Sequence, residues 1–139
     1  MTGPNDYNSK IIEEFRANGG KVGGQFAGAP LLLLTTTGAK SGQTRVTPLG
    51  YQRDGGRLIV YASMLGAPTN PAWYHNLVAH PEVTVEVGDE TFDGTAIVTS
   101  GAERSRLWDR AVELSPFLGE HQARTTRQIP VIVLSRRAS

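Results

Sequence analysis

Cysteine is absent from this sequence of 139 residues, which excludes disulfides, thiolate metal ligands and a cysteine nucleophile. Long apolar runs are also absent: the longest aliphatic stretch, Leu31 to Leu34, is far shorter than the roughly 20 residues of a membrane-spanning helix. The N-terminal stretch MTGPNDYNSK has no apolar signal-peptide core. We therefore expect a cytoplasmic protein without stable membrane insertion. Peripheral contact of its first helix with the inner face of the membrane stays open.

The chain has almost no excess of charge of either sign. Lys and Arg number 14 and Asp and Glu number 13, so the formal net charge is +1. Such a balance provides no overall electrostatic attraction for nucleic acid. We expect no nucleic-acid partner, and a bound anion has to be held by a local group of cations.

The sequence also lacks the patterns of metal centres and serine hydrolases. Its three histidines, His75, His80 and His121, have no spacing that suits a metal site. No G-x-S-x-G motif is present. We expect no metal, and we expect no serine nucleophile activated by histidine.

The length suits a single domain with one hydrophobic core. No repeat, low-complexity tract or linker divides the chain. We predict one domain over residues 1–139, with an N-terminal helix and flexible segment in 1–29 and the main body in 30–135.

Short apolar or alternating segments, separated by glycine and proline turns, predict about six antiparallel strands. The Asp-Gly-Gly sequence after the second strand predicts a tight hairpin turn. The fold is therefore expected to be mainly β with peripheral helices (α+β), its sheet closed into a small barrel. The predicted strands are 31–37, 44–52, 58–62, 83–87, 92–98 and the final IPVIVL.

Helices are predicted from near Ser9 to Gly19, over 71–79, over 101–115 and, more loosely, within SPFLGEHQARTTRQ. Asn70 is the expected N-cap of the second helix, with Pro71 at the first helical position. The third helix is expected to begin with a capping box and to have an apolar inner stripe opposite a solvated face. The capping box is Ser100 and Glu103, the stripe is Leu107, Trp108, Ala111, Val112 and Leu114, and the solvated residues are Glu103, Arg104, Arg106 and Arg110.

The stretch TGAKSGQTR between the first two predicted strands is typical of an anion site. Its two glycines let consecutive backbone N–H groups converge on one point. Lys40 adds a positive charge, Ser41 a hydroxyl donor and Arg45 a forked donor. The alternative is an ordinary hairpin with solvated charges. The loop is not a Walker A motif, because Gly-Lys-Ser/Thr is absent.

Two neighbouring features favour a binding site over the ordinary hairpin. Along the second strand Arg45, Thr47 and Leu49 share a face, and Pro48 indicates an edge or a bulge. On the second helix Trp73 and Asn76 are three residues apart and share a face. A ring beside an amide suits a planar heteroaromatic ligand, although the tryptophan could equally be a core anchor.

The segments LTTTGAKSGQTRVTPLGYQRDGGRLIVYAS, NPAWYHNL, HPEVTVEV and TTRQIPVIVL together resemble the deazaflavin-dependent nitroreductase family of actinobacteria. The resemblance covers about residues 34–134 and implies a split β-barrel similar to FMN-binding proteins. It also implies coenzyme F-420 as cofactor, an 8-hydroxy-5-deazaflavin with a phospholactyl oligoglutamate tail. The implied activity is hydride transfer from the reduced cofactor to a small-molecule acceptor such as a quinone, a nitroaromatic compound or an activated enone.

The resemblance also implies where the cofactor would be bound. Ser63 is the residue expected to donate a hydrogen bond near the acceptor and is the candidate catalytic residue. Four residues of the bend would hold the phosphate and the acidic tail, and the strand after it, the end of the third strand and the second helix would contact the rings and ribityl chain. These residues are Ala39, Lys40, Ser41 and Arg45, then Val46, Thr47, Pro48, Leu49 and Gly50, then Tyr61, Ala62, Ser63 and Met64, and finally Ala72, Trp73 and Asn76.

Two alternatives stay open from the sequence: an FMN-binding split-barrel reductase, and a deazaflavin carrier without turnover. Some relatives that reduce nitroimidazoles have tyrosines over the substrate where this chain has SPFLGEHQ. Gly50 and Met64 also differ from bulkier aromatic and lysine residues of such relatives. These differences concern the choice of acceptor, and oligomeric state is not predicted.

Overall fold

The computed structural model describes residues 4–20, 31–63 and 69–136, with side chains described from residue 9 onward. These ranges contain four helices and seven strands. In chain order they are α1 (Pro4–Ala17), β1 (Leu31–Thr37), β2 (Thr44–Gly50), β3 (Gln52–Asp54), β4 (Arg57–Tyr61), α2 (Ala72–Ala79), β5 (Glu82–Val87), β6 (Glu90–Val98), α3 (Gly101–Leu114), α4 (Phe117–Ala123) and β7 (Val131–Arg136).

All seven strands belong to one antiparallel sheet with the order β2-β1-β5-β6-β7-β4-β3. The two outer strands, β2 and β3, are separated in sequence only by Tyr51. Gly50 and Gln52 can therefore be no more than about 7 Å apart, and the sheet has to curl until its two edges meet at that corner. The predicted split β-barrel is confirmed.

The strand count is seven rather than about six because the predicted strand 44–52 divides at Tyr51. Before this residue the chain pairs with β1, where Gly50 faces Leu31. After it the chain pairs with β4, where Gln52 faces Ile59. Residue alternation reports a strand's faces but not its neighbours, so the change of partner had no sequence signal.

The apolar run of β1 is buried on both faces of the sheet. Leu32 and Leu34 belong to the main core inside the barrel. Leu31 and Leu33 contact α1 on the opposite face, with Phe15 as the largest buried residue of that layer. Successive side chains of a strand point to opposite faces, and both faces of β1 are covered, so the strand is apolar throughout rather than amphipathic.

Helix α3 covers the outer face of β4 and β7, and two predictions about it are wrong. Arg104 is buried, donates to the carbonyl oxygen of Ile129 at 2.6 Å and lies 5.0 Å from the centroid of the Trp108 ring. Leu114 is 58% exposed. Arg104 is one turn before buried Leu107, so it lies on the inner face, where a carbonyl and an aromatic ring compensate its charge.

Two helix starts differ from expectation, whereas α3 begins at Gly101 as predicted but without the expected capping bond. Helix α1 begins at Pro4 rather than near Ser9. Helix α2 begins at Ala72 with Pro71 in the N-cap position, and Asn70 accepts a hydrogen bond from Arg127 instead. Ser100 is the N-cap of α3, but its side chain makes no capping hydrogen bond. The predicted flexible segment, which follows Gly20, lies outside the described residues. No described helix is both long and apolar enough to cross a membrane.

Candidate cofactor-binding site

The bend between β1 and β2 is a closed hairpin loop, residues 38–43. The N–H of Gly38 donates to the carbonyl oxygen of Gln43 at 2.8 Å, and the N–H of Gly42 donates to that of Gly38 at 3.0 Å. The N–H of Gln43 donates to Ser41 Oγ at 3.2 Å. Gly42 has a φ of 72°, which other residues adopt only with strain. These bonds fix the shape of the loop.

The two cations of this region are exposed. Lys40, at the tip of the loop, and Arg45, on β2, have no hydrogen bond or ion pair with any described residue. The N–H groups of Lys40 and Ser41 likewise have no acceptor within the described ranges. The loop therefore presents two positive charges and two backbone donors that a phosphate or carboxylate can use.

Asn76 connects α2 to this bend. The N–H of Ala39 donates to Asn76 Oδ1 at 3.0 Å, and Asn76 Nδ2 donates to Thr36 Oγ1 at 3.3 Å. Thr36 is buried at the end of β1. The amide that we expected to face a planar ligand thus bonds with its oxygen and one of its N–H groups to the protein. Ala39 directs its N–H to α2 rather than to an anion.

The ring expected beside that amide is largely in the core. Trp73 is 8% exposed and packs in the main core inside the barrel. Ala72, one residue earlier, is exposed. The indole therefore anchors α2 to the barrel, and only its margin can contact a bound ring.

Among the residues that the structure describes, strand β2 forms one edge of the sheet and pairs only with β1. Arg45, Thr47 and Leu49 face Thr36, Leu34 and Leu32, so they lie on the barrel face and Leu49 packs against the main core. Val46 lies on the other face and contacts the α1 layer. The edge position accommodates Pro48, which has no N–H to donate. Gly50 is exposed at the end of the strand.

At the end of β4, the Tyr61 side chain points away from the barrel interior. Its hydroxyl donates to Gln52 Oε1 at 2.7 Å, and its ring meets Trp108 edge-on at 6.3 Å. Burial raises the pKa of Tyr61 to about 12. Ala62 is buried, and Ser63 is half-buried with no described partner for its hydroxyl. Met64 lies outside the described residues.

Arg127 was missed by the sequence analysis. Its Nη1 donates to the carbonyl oxygen of Ala62 at 3.0 Å and to Asn70 Oδ1 at 2.7 Å, and its Nη2 donates to the carbonyl oxygen of Ser63 at 2.8 Å. The residue stands within the TTRQIP segment just before β7. Arginine in a loop predicts a solvated charge, so only the tertiary structure reveals these bonds.

The structure brings three of the predicted segments together around α2. Asn76 bonds the bend, and Arg127 bonds the end of β4 to Asn70, just before the helix. The β2 residues border the same barrel face through their pairing with β1. No group of three histidine or acidic side chains that could hold a metal occurs in the described part of the chain.

This geometry defines a split-barrel protein with a cationic bend beside a core-anchored helix. The chain belongs to the F420H(2)-dependent quinone reductase family, whose sequence profile matches residues 9–136. It is 43% identical over 127 residues to an F420H(2)-dependent quinone reductase of Mycobacterium tuberculosis, covering 88% of this chain and 85% of that protein.

Solved structures agree with this membership. One F420-H2 dependent reductase (FDR-A) is 43% identical, with a TM-score of 0.70 and coverage of 76% of this chain and 94% of that chain. Another solved structure, described as a domain-swapped dimer, is 38% identical with a TM-score of 0.73, covering 96% of this chain and all (100%) of that chain. The expected family, an oxidoreductase that uses coenzyme F-420, is confirmed, and the FMN and carrier alternatives are set aside.

Proposed function

We propose that the chain reduces a quinone with coenzyme F-420, binding the acidic end of the cofactor at the bend and its rings between β2, the end of β4 and α2. The observation that carries this placement is the pair of exposed cations, Lys40 and Arg45, beside a loop that Asn76 holds in shape. When bound, the reduced cofactor supplies a hydride to an electron-poor acceptor.

The residues present fit the acidic part of this cofactor. A phosphate can accept from the N–H groups of Lys40 and Ser41, whereas that of Ala39 is already donated to Asn76. Arg45 extends the positive charge along β2, away from the loop. Such a long cationic path suits an oligoglutamate tail better than it suits a single compact phosphate.

The polar and apolar groups on the other side fit the ring system. Leu49 from β2 and the margin of Trp73 supply apolar contacts. Ala62 and Ser63 supply the backbone at the end of β4. The Ser63 hydroxyl has no described partner, so it can donate a hydrogen bond to the acceptor oxygen and orient the acceptor for reduction.

Replacing Lys40 and Arg45 together by glutamine tests the placement of the acidic end. The double variant should bind coenzyme F-420 more weakly by roughly 2–4 kcal/mol, because two charge-assisted contacts are lost. Fluorescence titration of the purified protein with the oxidised cofactor measures this, beside parallel titrations with FMN and FAD.

A matched control removes two positive charges from α3 instead, by Arg106→Gln with Arg110→Gln. Both double variants change the net charge from +1 to −1, since each loses two positive charges. The control should keep its affinity for the cofactor. Unchanged affinity in the Lys40 and Arg45 variant would contradict the placement. Oxidation of the reduced cofactor by menadione, a nitroaromatic compound and an activated enone would then rank the acceptor classes.

A further inference from the structure

We propose that Arg127 is a positioning residue that holds the end of β4 against the start of α2 and thereby orients Ser63 at the ring side of the site. This inference rests on the proposed function, because it assigns Ser63 to that side. It adds a residue that lies 64 to 65 positions away in sequence from the segment it holds.

The bonds of Arg127 join two segments that border the site. Three hydrogen bonds of 2.7–3.0 Å run from one guanidinium to two successive carbonyl oxygens, those of Ala62 and Ser63, and to the side chain of Asn70. A planar guanidinium can satisfy such a set only when the two carbonyls point toward it. The contact thus fixes the peptide orientation on both sides of Ser63.

Arg127 is itself held in place by α4. Gln122 Nε2 donates to the carbonyl oxygen of Arg127 at 2.7 Å, while Gln122 Oε1 accepts from the N–H of Ile129 at 3.0 Å. The N–H of Ala62 donates to the carbonyl oxygen of Pro130 at 3.1 Å, next to the start of β7. The Arg127 guanidinium therefore projects from a backbone that is hydrogen-bonded on both sides. A backbone held in this way suits a residue that positions another segment.

The setting of the guanidinium also strengthens these bonds. Arg127 is half-buried, and burial lowers its pKa from the ordinary value, yet arginine remains charged at neutral pH. Hydrogen bonds from a charged donor in a partly dry setting are stronger than neutral ones. Loss of the guanidinium leaves two carbonyl oxygens beside the site without their donor.

The test combines Arg127→Gln with Ser63→Ala in a double-mutant cycle. Arg127→Gln should weaken binding of oxidised coenzyme F-420 and lower kcat with menadione, each by about tenfold or more, as expected for lost charge-assisted bonds. Ser63→Ala should cost markedly less in the Arg127→Gln background than in the wild type, because the hydroxyl is then no longer oriented. Arg127→Lys should recover part of both losses, since one charged donor remains.

Arg57→Gln is the matched control for a merely structural role. Arg57 is another half-buried arginine, at the opposite end of β4, and it donates to Asp54 Oδ2 at 2.7 Å and to Glu103 Oε2 at 3.4 Å. Its loss should lower Tm while leaving cofactor affinity unchanged and adding independently to Ser63→Ala. If Arg127→Gln fails to fold, the cycle with Arg127→Lys and Ser63→Ala gives the same reading.

The inference is overturned if the Arg127 variants keep cofactor affinity and kcat within about twofold of wild type, or if their effects add to that of Ser63→Ala within the usual scatter for independent sites. Failure of the proposed function looks different. In that case the Lys40 and Arg45 variant, at the opposite end of the cofactor, keeps full affinity whatever Arg127 does.

Discussion

At the residue scale, the candidate site separates side chains that shape it from side chains that can bind a ligand. Asn76 and Arg127 have bonds that join one segment of the protein to another. Lys40 and Arg45 are bonded to no described residue. Substitution of the first pair should therefore change geometry, whereas substitution of the second pair should change mainly the charge that a ligand meets.

This difference explains which residues could be found from the sequence. Lys40 and Arg45 were predicted to hold an anion because glycines and cations adjacent in sequence already suggest an anion site. The bond from Ala39 to Asn76 spans 37 positions and that from Arg127 to Ser63 spans 64. No periodicity or local motif reports such pairs, so the shaping residues appear only in the folded chain.

One residue-scale prediction concerns His121, which is buried on α4 with no hydrogen-bond partner for Nδ1 in the described structure. Burial, and then the charge of Arg124, lower the pKa of His121 from 6.5. Below pH 6.5 the unfolded chain takes up a proton that the folded chain resists, so stability falls as the pH decreases. His121→Phe should remove this part of the pH dependence.

Thermal unfolding at pH 8 and pH 5.5 measures the His121 effect. The wild type should lose more Tm between the two pH values than the variant does. His75→Phe is a suitable control, because His75 is an exposed histidine on α2. Equal losses in the wild type and in His121→Phe would show that the buried imidazole does not carry the linkage.

At the element scale, the alternation of apolar and polar residues predicts the strands, whereas the shape of the bend between β1 and β2 depends on close packing. The β1 run, the hairpin at Gly55 and the edge position of Pro48 were all predicted from residue type and agree with the structure. The division of one strand into β2 and β3 was not, because the partner changes while the extended backbone continues. Arg104 on α3 shows that helix patterns have the same limit as strand patterns. The inner face of a helix can bury a charged side chain when that side chain donates to a carbonyl oxygen.

Gly38→Ala is the element-scale prediction. A Cβ at Gly38 would lie 2.5 Å from Ser41 Oγ and 3.2 Å from the carbonyl oxygen of Gln43. Ser41 can rotate away only by losing its bond from the N–H of Gln43. The variant should lose about 1–3 kcal/mol of unfolding free energy, the usual cost of overpacking, and should bind coenzyme F-420 more weakly because the loop is displaced.

Urea unfolding and cofactor titration together check the Gly38 effect. Gly56→Ala is the control, because a Cβ there meets nothing within 4 Å and the residue is on the hairpin between β3 and β4. It should leave both quantities nearly unchanged. A Gly38→Ala protein as stable as the Gly56→Ala protein would mean that the bend tolerates a side chain at this position.

At the scale of the whole molecule, the candidate site and the hydrophobic core are built from the same sheet. Strands β1, β4, β5, β6 and β7 and helix α2 all contribute to the main core. The bend, the end of β4 and α2 are attached directly to these elements. We propose that the chain is a single cooperative domain, so that a ligand bound at the site stabilises the entire fold rather than one lobe.

Thermal unfolding with the cofactor tests this proposal together with the identity of the ligand. A ligand at about 100 times its dissociation constant stabilises the folded state by about 2.7 kcal/mol. For a domain of this size that corresponds to a Tm increase of roughly 8–14 °C. Coenzyme F-420 should therefore shift a single transition upward by this amount, and FMN at the same concentration should shift it much less, since it lacks the acidic tail that the exposed cations suit.

Two separated transitions, with only one responding to coenzyme F-420, would contradict the single cooperative domain. Equal shifts with both cofactors would contradict the role of the cationic path along β2, because a single phosphate would then suffice for all the binding energy.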